Sequence, residues 1–323
     1  MWVRSLCAGY ARGLPPAISE ITFSVNAATT LAIVGASGAG KTTLLRTIAG
    51  LLHARSGDVL VDGLSVVTLP PQRRRIAMVF QDDALLPHLS LRKNLALVAR
   101  TGRDGDTAAA MHETANVLEV ERILARRPRM CSGGERQRAS IARALLSNPR
   151  ALLLDEPFGH LDPVLRHRVR DEVVRVRRRF DGPIVYVTHD HAEAMSVGDA
   201  LAVLIDGRIQ DYGDPQRVYD RPATVAVARL LGERSMNLLQ ESGVTLGIRP
   251  ECVEIAADGS LRGRIVARET TGADAFLSVE TERGRIVVRV PAASARHDGE
   301  LVALRFPESA LRRFDTQTGR AIA

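Results

Sequence analysis

One short stretch constrains this chain of 323 residues more than any other. Leu31-Ala32-Ile33-Val34 runs into Gly35-Ala36-Ser37-Gly38-Ala39-Gly40-Lys41-Thr42-Thr43, after which Leu44, Leu45, Ile48, Leu51 and Leu52 recur at helical spacing. The short apolar run reads as a strand buried on both faces, and the later spacing as an amphipathic helix. Residues 35–42 fit G-x-x-x-x-G-K-[ST]. Glycines let the backbone curl so that successive N–H groups point at phosphate oxygens, and the helix N-terminus adds partial positive charge. Lys41 would reach β- and γ-phosphates, and the Thr42 hydroxyl would ligate Mg²⁺. A glycine-rich turn with an incidental lysine is the bland alternative. The strand before and the helix after argue against it, because that context is what the motif requires.

Composition sharpens the point. Lysine and arginine total 44, yet only Lys41 and Lys93 are lysines. The formal charge of +7 therefore reflects arginine usage more than a binding surface, and Lys41 stands out as lysine kept where arginine is the rule. Cys7, Cys131 and Cys252 are odd in number and far apart, which fits neither a disulfide framework nor zinc spacing and suits a reducing cytosol. No apolar run approaches the ~18 residues of a transmembrane helix, and the N-terminal residues lack a signal-peptide core.

Further buried strands read at 151–154, 184–187 and 201–205, with helices about 132–147 and 163–180 and a flexible loop at 102–108. This alternation predicts a mostly parallel sheet covered on both faces. Leu152–Leu154 delivers Asp155 and Glu156 to a strand's C-terminal end, where open α/β sheets bind ligands. Asp155 would hold Mg²⁺ through its water shell and Glu156 would polarise an attacking water. Alone, Asp-Glu-Pro is a solvated turn; the phosphate loop upstream reverses that weighting. Near residue 235 the texture changes to short alternating segments at 244–248, 253–255, 262–267, 275–279, 285–290 and 301–306. They predict a small all-β domain, 235–323, after an ATP-binding domain, 1–234.

Together these residues resemble the nucleotide-binding subunits of ATP-binding cassette (ABC) importers of the maltose-importer type, over nearly the whole chain. Ser132-Gly133-Gly134-Glu135, after Cys131 and before Arg136-Gln137-Arg138, resembles the ABC signature. Gln81 resembles the Q-loop glutamine, His189 the switch histidine, Gly159-His160-Leu161-Asp162 the D-loop, and Tyr10 the aromatic that stacks on adenine. Singly, each has a plainer reading: a surface glutamine, a turn histidine, a core tyrosine. Ser132-x-x-Glu135 is also a capping box. Cys131 stands where leucine is usual, Glu135 where glutamine is usual, and Gly159 and His160 are unusual in a D-loop. Met236-Asn237-Leu238-Leu239 and Gly247-Ile248-Arg249-Pro250-Glu251 resemble the start of a TOBE domain of OB type.

The resemblance implies a P-loop, RecA-like α/β domain with an α-helical subdomain, followed by the TOBE domain. It implies ATP and Mg²⁺ as ligands, with Tyr10, Gly35, Ser37, Gly38, Gly40, Lys41, Thr42, Thr43, Gln81, Asp155 and Ser132–Glu135 at the nucleotide. Thr42, Gln81 and Asp155 would face the metal, and Glu156, His189 and Lys41 would serve hydrolysis. The signature would act on ATP held by a second copy, making a homodimer. The implied partners are two transmembrane permease subunits and an extracellular solute-binding protein, with this chain peripheral on the cytoplasmic face of the inner membrane. Met236-Asn237 leans toward a carbohydrate or glycerol-phosphate-like solute; iron, polyamine, molybdate, sulfate and phosphonate importers share most of these motifs. A soluble ABC ATPase acting on nucleic acid or ribosomes usually has two cassettes or a long insertion, and this chain has neither. Only Phe276, Phe306 and Phe314 are aromatic beyond 235, so the all-β part lacks the stacking surface nucleic acid needs. A purely regulatory binding module would not need a complete ATP site. Residues 82–91, with Leu85, Leu86, Pro87 and Leu89, are expected to form the permease-docking surface.

Overall fold

A computed structural model describes residues 1–11, 13–82, 84–102, 107–158 and 169–322. The D-loop positions 159–162, residues 163–168 of the second expected helix, and most of the expected 102–108 loop lie outside the described residues. The chain divides into two compact units, Met1–Pro215 and Gln216–Ala323. This division falls ahead of the 234/235 boundary drawn from sequence texture.

In the first unit the elements are β1 (Trp2–Ala8), β2 (Ile18–Ser24), β3 (Thr30–Val34), α1 (Lys41–Ala49), β4 (Ala54–Val61), β5 (Leu64–Ser65) and β6 (Ile76–Val79). There follow α2 (Leu91–Gly102), α3 (Thr107–Val117), α4 (Gly133–Leu146), β7 (Ala151–Asp155), α5 (Val169–Arg177), β8 (Ile184–Thr188), α6 (His191–Val197), β9 (Ala200–Ile205) and β10 (Arg208–Gly213). One sheet has the order β10-β9-β3-β8-β7-β6. Its neighbours are parallel except for the β9–β10 hairpin. β3, β7 and β8 are buried along their whole length, as continuous apolar runs covered on both faces require. β3 is flanked by β9 and β8, so the chain leaves it at the point where successive connections diverge, which is where such sheets open a crevice.

A second, antiparallel sheet, β2-β1-β4-β5, has no counterpart in the sequence reading. Its inner residues Val3, Leu6, Ile21, Phe23, Val59 and Val61 share one core with α1 residues Leu44, Leu45 and Ile48 and with Ile33, Leu153 and Val187 of the parallel sheet. α1 is thereby held from several sides, and its N-terminus is a fixed point of the fold.

In the second unit, α7 (Pro215–Asp220) and α8 (Val225–Leu230) precede β11 (Asn237–Glu241), β12 (Val244–Ile248), β13 (Glu254–Ile255), β14 (Leu261–Thr271), β15 (Asp274–Thr281), β16 (Gly284–Pro291), β17 (Leu301–Arg305), β18 (Arg312–Asp315) and β19 (Ala321–Ile322). Two antiparallel sheets form, β11-β12-β18-β19 and β13-β17-β14-β15-β16. Leu239 and Ile248 of the first share a core with Ile265, Leu277, Val279, Val288 and Leu304 of the second. The buried Arg249 explains why the helical turns after Pro215 belong here: its guanidinium donates to the carbonyls of Ala228, Leu231 and Tyr219, and lies 4.0 Å over the Tyr219 ring. β12 matches its expected segment, β14, β15 and β16 extend theirs by one to four residues at an end, β13 and β17 fall one residue short, and β11, β18 and β19 complete the smaller sheet.

Candidate functional site

β3 ends at Val34, and the loop that follows is built on close backbone approaches. A Cβ on Gly35 would come within 2.4 Å of the Leu204 carbonyl, so only glycine lets the loop pass β9. Gly40 has φ 101° and would set a Cβ 2.8 Å from the Ala17 carbonyl, so glycine is required twice over. Gly40 is the N-cap of α1 and carries no side chain to occupy the first N–H groups. The first turn also lacks an acidic residue, leaving its partial positive charge for an external anion. At the far end, the buried Arg74 donates to the Thr47 and Ile48 carbonyls, completing the helix as cations complete C-termini.

Lys41 is buried, and its Nζ donates to the carbonyls of Gly35 at 2.8 Å and Ala36 at 3.0 Å. Burial pushes its ammonium below the usual lysine range, opposed by Glu156 and Asp155. Nζ lies 3.9 Å from Glu156 Oε1. Thr42 Oγ1 donates to Asp155 Oδ1 at 3.2 Å. Burial raises the Asp155 carboxyl, and the Thr42 bond acts the other way. Glu156, the residue beyond β7, has φ 44°, a left-handed conformation that costs a non-glycine residue energy and recurs at functional sites. Its N–H donates to the Val187 carbonyl at 2.9 Å, and its Oε2 sits 3.0 Å from His189 Nδ1. Tyr10 is 64% exposed, with its hydroxyl 3.1 Å from Thr43 Oγ1.

These groups line one open cleft of about 650 Å³: Tyr10, Ser37, Gly38, Gly40, Lys41, Thr42, Thr43, Gln81, Glu156 and His189, with Ala17. Gln81 arrives from just past β6, Glu156 from β7 and His189 from β8, all at C-terminal strand ends. Of the expected ligand residues, Gly35 and Asp155 do not line the cleft; Gly35 packs beneath the loop and Asp155 stands behind Thr42. Ser132–Glu135 lie outside it too. They open α4 as a capping box: Ser132 N–H donates to Glu135 Oε2 at 2.7 Å and Glu135 N–H donates to Ser132 Oγ at 3.3 Å. Cys131, in the usual leucine position, is buried, and its thiol donates to the Arg127 carbonyl at 3.5 Å.

Ala17 has no signal in the sequence, since an alanine contributes only backbone and shape. Two other structural groups were also unread. Arg143 of α4 donates to the Ala84 carbonyl, and the buried Asn94 accepts from Leu86 N–H at 2.7 Å and donates to the Ser90 carbonyl at 3.1 Å. Together they tie the segment after Gln81 to two helices. Leu86 and Pro87 are exposed there, while Leu85 and Leu89 are half-buried.

Thr42 and Asp155 offer oxygen donors, and the Asp155 carboxylate is buried against its own solvation. That is a donor set suited to a hard divalent cation such as Mg²⁺.

Loop, helix terminus, lysine and strand-end carboxylates define a P-loop nucleoside-triphosphate-binding domain. Comparison with known proteins narrows the class. Residues 18–159 match the ABC transporter family model and residues 246–314 the TOBE domain model. The sn-glycerol-3-phosphate import ATP-binding protein UgpC of Rhodopseudomonas palustris is 37% identical, over 95% of each chain. UgpC 3 of Agrobacterium fabrum is 38% identical over 93% of each. A dimeric post-hydrolysis ATP-binding cassette bound to ADP and Pi superposes with TM-score 0.59 at 27% identity, covering 66% of this chain and 98% of that one. CbiO1 of Clostridium perfringens, part of the CbiONQ transporter complex, gives 0.60 at 25% identity, covering 68% and 89%. The chain belongs to the ABC transporter family, as one of its ATP-hydrolysing, ATP-binding subunits, with a TOBE domain after the cassette. Among the described residues no helix is long and apolar enough to cross a membrane.

Proposed function

We propose that this chain is the ATPase subunit of a binding-protein-dependent importer, driving uptake of a carbohydrate or glycerol-phosphate-like solute. The observation that carries the site assignment is the convergence of Lys41, Thr42 and the Glu156–His189 pair on one cleft, with Asp155 hydrogen-bonded to Thr42 just outside its lining. Similarity to import ATP-binding proteins over more than nine-tenths of each chain supports the importer, and the solute those relatives are named for supports the solute class.

In this reading ATP lies with its phosphates on Ser37–Thr43. The N–H groups ahead of α1 and the Lys41 ammonium hold the β- and γ-oxygens, exchanging the Gly35 and Ala36 carbonyls for phosphate. Tyr10 stacks on the adenine. Thr42 and Asp155 hold Mg²⁺, with Gln81 facing it; when bound, the ion neutralises charge building on the phosphate oxygens. Glu156 accepts a proton from the attacking water and polarises it. His189, hydrogen-bonded to Glu156, steadies that carboxylate and the γ-phosphate region. Ser132–Glu135 of a second copy closes the site from the other side, the α4 N-terminus meeting the γ-phosphate. Two permease subunits receive the stroke near Leu86, an external solute-binding protein delivers the cargo, and the chain works on the cytoplasmic face of the membrane.

Reconstitution tests this. Assembled with its permease subunits and solute-binding protein in vesicles, the chain is expected to drive accumulation of sn-glycerol-3-phosphate or a sugar only with ATP. ATPase activity without uptake of either class would overturn the solute assignment.

A further inference from the structure

A polar cluster joins β8 to the start of α6. Tyr186 and Thr188 lie on the same face of β8, and both are buried. The Tyr186 hydroxyl donates to Glu193 Oε1. Thr188 Oγ1 donates to Glu193 Oε2 at 2.5 Å while accepting from Asp190 N–H at 3.0 Å. Asp190 caps α6 through the N–H groups of Ala192 and Glu193. Asp190-x-x-Glu193 has capping-box spacing, but the expected return bond is absent: Thr188 takes the Asp190 N–H instead. Glu193 is turned inward, where burial raises its carboxyl above the usual range. A carboxyl placed there at a desolvation cost needs a reason beyond capping.

Its neighbours supply one. Thr188 precedes His189, whose side chain is 56% exposed and so is aimed by its backbone more than by packing. The Tyr186 ring stacks on Phe158, with centroids 6.5 Å apart and planes at 27°. Phe158 lies two residues beyond Glu156. One carboxyl thus fastens both segments that carry the Glu156–His189 pair. We propose that Glu193 is a positioning residue for hydrolysis: acting through Thr188 and Tyr186, it holds His189 at hydrogen-bonding distance from Glu156. This rests on the assignment of Glu156 and His189 to hydrolysis.

The test uses the full chain and steady-state ATPase assays, with kcat and KM separated and melting curves recorded. A misplacement of the order of 1 Å is worth up to about 100-fold in rate. Glu193→Ala is therefore expected to lower kcat by about tenfold or more, with KM for ATP within about twofold. Glu193→Gln accepts from Tyr186 through Oε1 and donates to Thr188 through Nε2, and is expected to recover most of the loss. Thr188→Val, near-isosteric, removes the hydroxyl link and provides the test if Glu193→Ala does not fold; kcat should fall by about fivefold or more. Native kcat in the folded Glu193→Ala or Thr188→Val chain would overturn the proposal. So would no recovery in Glu193→Gln, or a KM rise that matches the kcat loss, which would mark general loosening. His189→Ala separates the two layers. If it retains native turnover, the underlying site assignment fails and this proposal with it. If it is inactive while Glu193→Ala is native, only the positioning claim fails.

Discussion

Lys41→Met keeps the buried stem and removes the ammonium. In the free chain that ammonium already makes two charge-assisted bonds, to Gly35 O at 2.8 Å and Ala36 O at 3.0 Å. Each such bond is worth about 1.5–3 kcal/mol. ATP therefore gains only the difference between phosphate and carbonyl partners, about 2–3 kcal/mol, which weakens Kd roughly 30- to 150-fold when lost. Turnover should fall further, by a factor of about 100 or more beyond binding, as for removal of one preorganised electrostatic donor. The fold should survive. Methionine leaves the Gly35 carbonyl without its donor, but it also relieves a cation that burial disfavours. Melting is expected to move by no more than about 4 °C, given roughly 2–4 °C per kcal/mol in a unit this size. Fluorescent-nucleotide titration, phosphate release and a thermal melt read the three quantities. Turnover within threefold of native in a folded mutant would refute the assignment of Lys41.

Three further outcomes follow from the site. Glu156→Gln should slow hydrolysis by about 10²–10⁴-fold, the usual worth of a positioned base, while ATP still binds; a single-turnover assay checks it. Burial raises Asp155 above its usual range, so its ionised form costs the fold stability as pH climbs from the ordinary aspartate range through the raised value. Asp155→Asn removes that cost: its melting advantage over the native chain should grow across this window, be absent in acid, and accompany loss of Mg²⁺-dependent hydrolysis. Leu86→Glu should abolish transport while basal ATPase stays within about twofold, a barrier change of about 0.4 kcal/mol; Leu86 suits this better than the half-buried Leu89.

Four strands of the larger sheet, β3, β7, β8 and β9, were legible because they are continuous apolar runs; its two edge strands, β6 and β10, were not read. Neither was the β1–β2–β4 sheet. β1 shows the burial pattern eBeeBiB rather than alternation, because its register shifts between Val3 and Leu6 and between Leu6 and Ala8, and Ser5 has φ 43°. Bulges of this kind erase the period of two on which strand reading depends. At the site, Lys41, Thr42, Asp155 and Glu156 were readable from local motif chemistry. Gln81, His189 and Tyr10 came only through the family resemblance, since a single glutamine, histidine or tyrosine carries no local signal. Glu193 was hidden by its own spacing, which mimics a cap, whereas its partners Tyr186 and Thr188 are set by the β8 pleat.

The central claim is that ATP is held by the Gly35–Thr43 loop of one chain and closed by Ser132–Glu135 of another. Sedimentation velocity of the full-length Glu156→Gln chain with radiolabelled ATP and Mg²⁺ tests it most directly. The account predicts an ATP-dependent dimer holding two nucleotides, lost when Ser132→Arg is added to the same chain. A monomer binding one ATP with the same affinity whether or not Ser132 is replaced would contradict it.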